Sequence, residues 1–293
     1  MPWRAQGQWL SAGELEQETK GGQYALHSQS VQALCQKFVA NVDTASALRK
    51  KELTEIGIIQ AAYPHHAKAY QTVVWKDQAL TILPDGRLRL PTGGQRPPLL
   101  LPLPTEYQGA NLRRAELTWR ADHYELCLTL DTGEVLPPSL SAGEVAGIDL
   151  GEVHIVAVTT TRRHALVVSG RQLRACKQWR NKAHAVLQEK LSRCQAGSRR
   201  SRRLTKRKAQ LSARLYRQQR DLLHQAARKA VTFCQTERVA RIAVGDVRDI
   251  QTGVRLGAKT NQKISQWPHG QLARYLTEKA ARLGIVVEWI VDR

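Results

Sequence analysis

Nothing in the 293 residues supplies an uninterrupted apolar run of the roughly 18 that a bilayer span needs. No N-terminal stretch joins a basic start to an apolar core, so a secretory leader is not expected. The five cysteines (Cys35, Cys127, Cys176, Cys194, Cys234) contain no C-x-x-C pair and no histidine at zinc spacing. They read as reduced cytosolic residues, and their odd number argues against a disulfide framework. Phenylalanine occurs only twice, yet apolar residues still make up 42%, enough for a substantial core. Acid is the other shortage: 25 Asp and Glu face 45 Lys and Arg, a formal charge of +20. A chain this basic repels itself unless a polyanion is its partner, and nucleic acid is the usual one.

The basic charge is not evenly spread. Residues 162–241 hold 23 Arg and Lys among 80 positions, against three acids, Glu189, Asp221 and Glu237. Within that stretch Leu204, Leu211, Leu215, Leu222, Ala226 and Phe233 follow a 7-4-7-4-7 spacing, a narrow apolar seam on one long helix. An earlier helix, about 173–194, is expected to fold back on it through "QAGSRRS". Arg199, Arg200, Arg202, Arg203, Lys206, Arg207 and Lys208 crowd the start of the second helix. Unbalanced positive charge on a helical pair is costly unless it meets phosphates, so a phosphate-tracking arm is expected, and a solvated scaffold hairpin is the bland alternative.

Around the hairpin the pattern divides the chain. Residues 1–24 read as a polar, loosely ordered segment. From about 26 to 51, Val31, Leu34, Phe38, Val39, Val42 and Leu48 repeat at helical spacing. "YQTVVWKDQALTILPDGRLRLP" alternates apolar and polar residues about a "PDG" turn, and "NLRRAELTWRA" and "HYELCLTLD" alternate again after a Pro-rich link at 97–104. Residues 70–131 thus read as a small antiparallel sheet or barrel, and "GEVLPPSLSAGE" as a linker. The expected domains are 25–138, a β-barrel with a helical segment, and 139–293, an α/β domain with a helical insertion at about 171–237.

The second domain opens with "EVAGIDLG", "HIVAVTTT" and "HALVVSG", three strands joined by tight turns. After the helices come the strand "RIAVGDV", the helix "QLARYLTEKAARLG" closed by Gly284, and the strand "IVVEWIV". Three antiparallel strands, helix, strand, helix, strand is the order of a ribonuclease-H-like domain. Asp149 lies in the first of these strands, where a carboxylate is costly unless it is paired or holds a metal. In a ribonuclease-H-like site, carboxylates of the first strand, the fourth strand and a later helix hold two divalent ions for phosphodiester hydrolysis. Asp149 and, at the end of "RIAVGDV", Asp246 are the candidate catalytic and metal-binding residues, with Mg²⁺ the ion suited to such oxygen ligands. Glu152 stands at the wrong strand parity to join Asp149.

Milder candidates complete the survey. "KTNQKISQWPHGQLARYL" places Lys259, Asn261, Gln262 and Lys263 in a polar loop before a helix, with Ser265 as a possible N-cap. That loop is expected either to contact nucleic acid or to be plain surface. Trp267 reads as a packing anchor. Tyr63, Tyr70 and Trp75 are candidates for stacking bases, with core use favoured for Trp75. The adjacent His65 and His66 read as solvated.

The stretches "VAGIDLGEVHIVAVTT", "SGRQLRACKQWRNKAHAVLQEKLSRCQAGSRRSRRLTKRK", "RDLLHQAARKAV", "RIAVGDVRDI" and "KTNQKISQWPHGQLARYLTEKAARLGI" resemble the TnpB (OrfB) family of transposon-encoded proteins, relatives of type V CRISPR effector nucleases. "AYPHHAKAYQTVVWK" also fits that family's wedge-like barrel. The resemblance implies a prokaryotic, cytoplasmic and nucleoid-associated RNA-guided DNA endonuclease. Its RuvC-type centre would use Mg²⁺, and its partners would be a guide RNA and double-stranded target DNA. Two departures accompany it. Gly245 stands where most of the family carries a glutamate, although a subgroup with "GD" places its acid after the last strand present here. The sequence also ends before the family's four-cysteine zinc ribbon and third aspartate, so a truncated chain without a zinc site is expected. Asp292, near the end, makes a poor ligand at a frayed terminus. The alternatives are a nuclease-dead, repressor-like RNA-guided DNA-binding protein, or a degenerate transposon fragment with nonspecific affinity.

Overall fold

A computed structural model describes residues 9–55, 57–64, 70–247 and 256–290. The chain divides into two compact units, Met1–Glu134 and Val135–Arg293.

The first unit begins with α1 (Ala12–Glu18), started by a reciprocal capping box between Ser11 and Glu14. Helix α2 (Ser28–Glu55) is longer than its apolar repeat predicts. It buries Cys35, Val42 and Ala45, while Leu48 turns outward at 49% exposure. The alternating segments become two three-stranded antiparallel sheets, and no closed barrel is seen among the described residues. One sheet orders β1 (Val73–Lys76), β5 (Asn111–Trp119) and β6 (Tyr124–Asp131) as β1-β5-β6. The other runs β2 (Thr81–Ile82), β3 (Arg87–Leu90), β4 (Leu99–Pro102) in chain order. The "PDG" turn lies between β2 and β3, with Gly86 at φ +78°, a conformation that favours glycine. The Pro-rich link contains β4; proline is tolerated there because β4 is an edge strand with one side free of the ladder. Trp75, Leu88, Leu90, Leu112 and Ala115 form this unit's core, and the Trp75 indole donates to the Pro91 carbonyl at 2.8 Å.

The second unit is built on one five-stranded sheet. Its strands are β7 (Glu144–Asp149), β8 (His154–Thr160), β9 (Ala165–Ser169), β10 (Val239–Gly245) and β11 (Val286–Ile290). The order across the sheet is β11-β10-β7-β8-β9. β7, β8 and β9 pair antiparallel, whereas β10 runs parallel to both β7 and β11. The parallel joins are crossovers through helices: α3 (Arg171–Ser192) and α4 (Arg199–Thr236) precede β10, and α5 (Ala258–Ser265) and α6 (His269–Ala281) precede β11. Ala146, Ile148, Val156, Val158, Ile242 and Val244 from the strands meet Leu223, Ala227, Ala230 and Cys234 of α4 and Leu272 and Leu276 of α6 in one core. Burial pushes the Cys234 thiol up to about 11, leaving it a packing residue.

Helix α4 has 38 residues and, at about 1.5 Å per residue, is roughly 57 Å long. Its buried stripe differs from the sequence seam in its second half. Leu215 and Ala226 lie on it, but the deepest positions are Leu223, Ala227, Ala230 and Cys234, with Leu222 and Phe233 at its margin. The reason is that this half packs on a sheet, which asks for a broader apolar stripe than a paired helix does.

Candidate functional site

Asp149 is the last residue of β7, not a mid-strand residue, and its side chain is exposed. The parity of the strand explains this: Ala146, Ile148 and Leu150 point into the core and Asp149 points away from it. The carboxylate in an apolar strand therefore carries little burial cost. β10 pairs with β7 through Ala243↔Gly147 and Val244↔Ile148. One step further along the same register, Gly245 stands beside Asp149. Gly245 pairs in turn with Ile290 on β11. Asp246 follows the end of β10, with its N–H donating to the Ile290 carbonyl at 2.8 Å. Asp246 lies one residue beyond the strand's end, half-buried. The β7–β10 register thus runs on from Val244↔Ile148 toward Gly245 and Asp149.

Glu152 lies in the β7–β8 loop, 3.9 Å from Arg174 Nε of α3. Asp292 lies outside the described residues, as do His65 and His66. Among the described residues no group of three or more His, Cys, Asp or Glu side chains is placed to hold a metal ion. Asp149 and Asp246 stand at the ends of the paired strands β7 and β10.

The basic arm is built as its sequence spacing predicts. Ser198 caps α4, accepting from the Ser201 N–H, and α3 runs back alongside. Arg199, Arg200, Arg202, Arg203, Lys206 and Arg207 are all exposed, and no carboxylate among the described residues pairs with them. Lys208 is half-buried instead, donating to Gln188 of α3 at 2.8 Å. Arg199, Arg203 and Arg207 share one stripe at i, i+4, i+8, with Arg202 and Lys206 beside it. The hairpin interior holds a polar contact among its leucines: Ser212 of α4 meets His184 of α3 at 2.9 Å. Burial, then Lys208 and Arg180, hold the His184 pKa below its ordinary value.

Of the milder candidates, Lys263 is exposed on α5, and the side chain of Lys259 lies outside the described residues. Residues 258–265 form a helix, not a loop, because one apolar position per turn suffices for a short surface helix. Asn261 is used internally: its side-chain oxygen accepts from the Leu256 N–H at 3.1 Å. Ser265 ends α5, bonding back to the Gln262 carbonyl, and does not cap α6. Trp267 is buried in the core, as expected. Trp75 is also core, and Tyr63 packs on Trp9 beneath Arg49. Tyr70 remains 53% exposed, stacked on Trp119 at 4.6 Å with Tyr124 edge-on.

Sequence reasoning missed Lys177 and Arg174 of α3. Lys177 is 6% exposed and its Nζ has no hydrogen-bond partner. A signal was present: Leu173, Lys177, Arg180, His184, Leu187 and Leu191 follow the 4-3-4-3-4 spacing of a buried seam, with three cationic or titratable residues in it.

The profile of the OrfB family, described as "Probable transposase", matches residues 126–251. The fold resembles the protein in the cryo-EM structure of the Cas12f1–sgRNA–target DNA complex, with a TM-score of 0.60 at 12% identity. Over residues 126–251 the chain is related to the TnpB (OrfB) family. The Cas12f1 likeness covers 90% of this chain and 61% of the Cas12f1 chain, so this chain spans less than two thirds of that protein. A CRISPR–Cas12f ternary complex matches with a TM-score of 0.42 at 12% identity, over 91% of this chain and 60% of that one. No curated protein matches the sequence. Among the described residues no helix is long and apolar enough to cross a membrane.

Proposed function

We propose that this chain is a transposon-associated protein that binds double-stranded DNA under the direction of a guide RNA. The second unit is read as a RuvC-type, ribonuclease-H-like frame, a reading supported by the β11-β10-β7-β8-β9 order with its mixed pairing. The first unit is read as the wedge and recognition part. The partners are of the kinds bound in the Cas12f1 complex, a guide RNA and target DNA. The setting is the prokaryotic cytoplasm, at the nucleoid.

The observation that carries the reading is the unpaired cationic face of α4. Like charges at i, i+4 cost a helix about 0.2–0.5 kcal/mol per pair in water, and a phosphate backbone reverses that sign. Arg199, Arg203 and Arg207, with Arg202 and Lys206, would lie along the backbone of the guide–target duplex without reading its sequence. Lys263 would add a contact from α5. Base pairing to the guide would supply the specificity.

The family implies an endonuclease using Mg²⁺ at Asp149 and Asp246. The register that sets Gly245 beside Asp149 favours the second reading, guide-directed binding without cleavage. The test is purified protein with its co-purified RNA and a matched duplex, with and without Mg²⁺, in wild type and Asp149→Ala. Guide-dependent binding with intact DNA in both proteins is expected. Cleavage lost in Asp149→Ala would restore the nuclease reading, and equal cleavage in both would remove Asp149 from any metal role. Binding that is indifferent to the guide would overturn the proposal and leave only nonspecific affinity.

A further inference from the structure

Lys177 sits one turn along α3 from Arg174 and one turn before Arg180, on the face that pairs with its neighbours. Its ammonium is withdrawn from solvent with no hydrogen-bond partner, and Arg174 Nε is likewise buried without one. The nearest counter-charge is Glu152, whose carboxylate stops 3.9 Å from Arg174 Nε, outside hydrogen-bond reach. Arg174 and Lys177 thus share one loosely placed anion. Burial pulls the Lys177 pKa down; Glu152 opposes this, and Arg180 and Arg174 reinforce it. A buried, unpaired ammonium costs several kcal/mol, so a fold keeps one when something outside the free chain completes it.

The surroundings identify what would complete it. Gly170, the N-cap of α3, lies under the β7–β8 loop: its N–H donates to the Val153 carbonyl at 2.8 Å, and a Cβ there would come within 2.6 Å of the Glu152 carbonyl oxygen. Glycine at 170 therefore lets the loop bring Glu152 down onto the first turns of α3. Asn181, one turn beyond Lys177, donates to Gln266 just after α5. Glu152 and Arg174 are each more than a quarter exposed, so the cluster opens to solvent on the Glu152 side.

We propose that Lys177 and Arg174, with Arg180 one turn on, form a seat for one phosphate group of a nucleic-acid backbone, beside which the Glu152 carboxylate stands in the free protein. A phosphate presents more oxygens than a carboxylate and reaches both orphaned donors, while Glu152 swings to solvent. The seat is separate from the arginine stripe of α4, and it rests on the nucleic-acid-binding reading above for the origin of its phosphate.

The test uses the full chain and three variants: Lys177→Met, Lys177→Arg and Glu152→Gln. Thermal unfolding is followed against inorganic phosphate, with chloride at matched ionic strength as the control. Wild type is expected to gain Tm saturably with phosphate. Lys177→Met is expected to start higher, having lost a buried charge, and to lose that saturable gain; Lys177→Arg retains it. Glu152→Gln, freed of the competing carboxylate, saturates at several-fold lower phosphate. Equal phosphate responses in wild type and Lys177→Met overturn the seat. Salt titrations of guide RNA and of duplex DNA binding then identify the source. The slope of log K against log[salt] falls in Lys177→Met by about 0.7 on a single strand or about 0.9 on a duplex. Unchanged slopes on both, beside a lost phosphate response, overturn the backbone assignment and leave a free-phosphate site. If wild type shows no guide-dependent DNA binding, the functional proposal fails while the phosphate comparison still decides the seat.

Discussion

At the scale of single residues the outcome turns on neighbours that are distant in sequence. Asp149 is recognisable as an anomaly in "GIDLG", yet its partner is set by the β7–β10 register, which brings up Gly245. A Cβ built on Gly245 meets nothing within 4 Å, and its backbone does not need glycine. Gly245→Glu should therefore fold normally and set a second carboxylate beside Asp149. Titration calorimetry with Mn²⁺ should show tighter binding than in wild type, reversed by adding Asp149→Ala; an isotherm identical to wild type would refute the register argument. His184 offers a second test. Its folded pKa is depressed, chiefly by burial, so the unfolded chain takes up the proton first as the solution is acidified. The stability contributed is complete above the unfolded value of about 6.5 and is lost as pH falls below it and through the depressed folded value. His184→Gln should flatten the decline of Tm between neutral and mildly acidic pH, compared with wild type.

At the scale of elements, α4 does two jobs with its two halves. The first half carries the exposed arginines, and the second buries Leu223, Ala227, Ala230 and Cys234 against the sheet. A side chain at 0% exposure in a tight core leaves a cavity when shortened, so Leu223→Ala should cost about 2–5 kcal/mol in urea unfolding. Replacing Arg203 by Ala should leave unfolding unchanged within about 0.5 kcal/mol, because it is exposed and unpaired there. Similar losses for the two variants would mean that the two halves are not distinct. The length, position and charge of this helix are legible in the sequence because they depend on local periodicity and composition. Its change of partner, from α3 to the sheet, is not, since the 7-4 seam describes only the narrower contact. Helix α5 is hidden in the sequence for a related reason: eight residues with few apolar positions carry almost no periodic signal.

At the scale of the whole chain, the two units are joined by a segment that the composition shift in "GEVLPPSLSAGE" announces. Residues 131–140 are all exposed, and Leu140 is tied to the second unit by donating to the Gly284 carbonyl at 2.9 Å. Limited proteolysis should first cut within residues 132–138, giving fragments of roughly 15 and 18 kDa from the 32.9 kDa chain by mass spectrometry. Early cleavage inside β7–β9 instead would contradict the division. The alternating segments of the first unit are legible as strands, but whether they close on themselves is not. Closure depends on which edges meet, and the described strands pair as two separate sets of three.

The sequence by itself determined the kinds and order of the elements, the concentration of positive charge on one hairpin and the family resemblance. Each of these is local along the chain: a period, a spacing, a motif. Only the tertiary structure decided that Asp149 faces away from the core beside Gly245, and that Lys177 is shut in near Arg174 and Glu152. Strand register and helix pairing settle those neighbours, and both follow from how whole apolar faces fit together rather than from any residue's own neighbours in sequence.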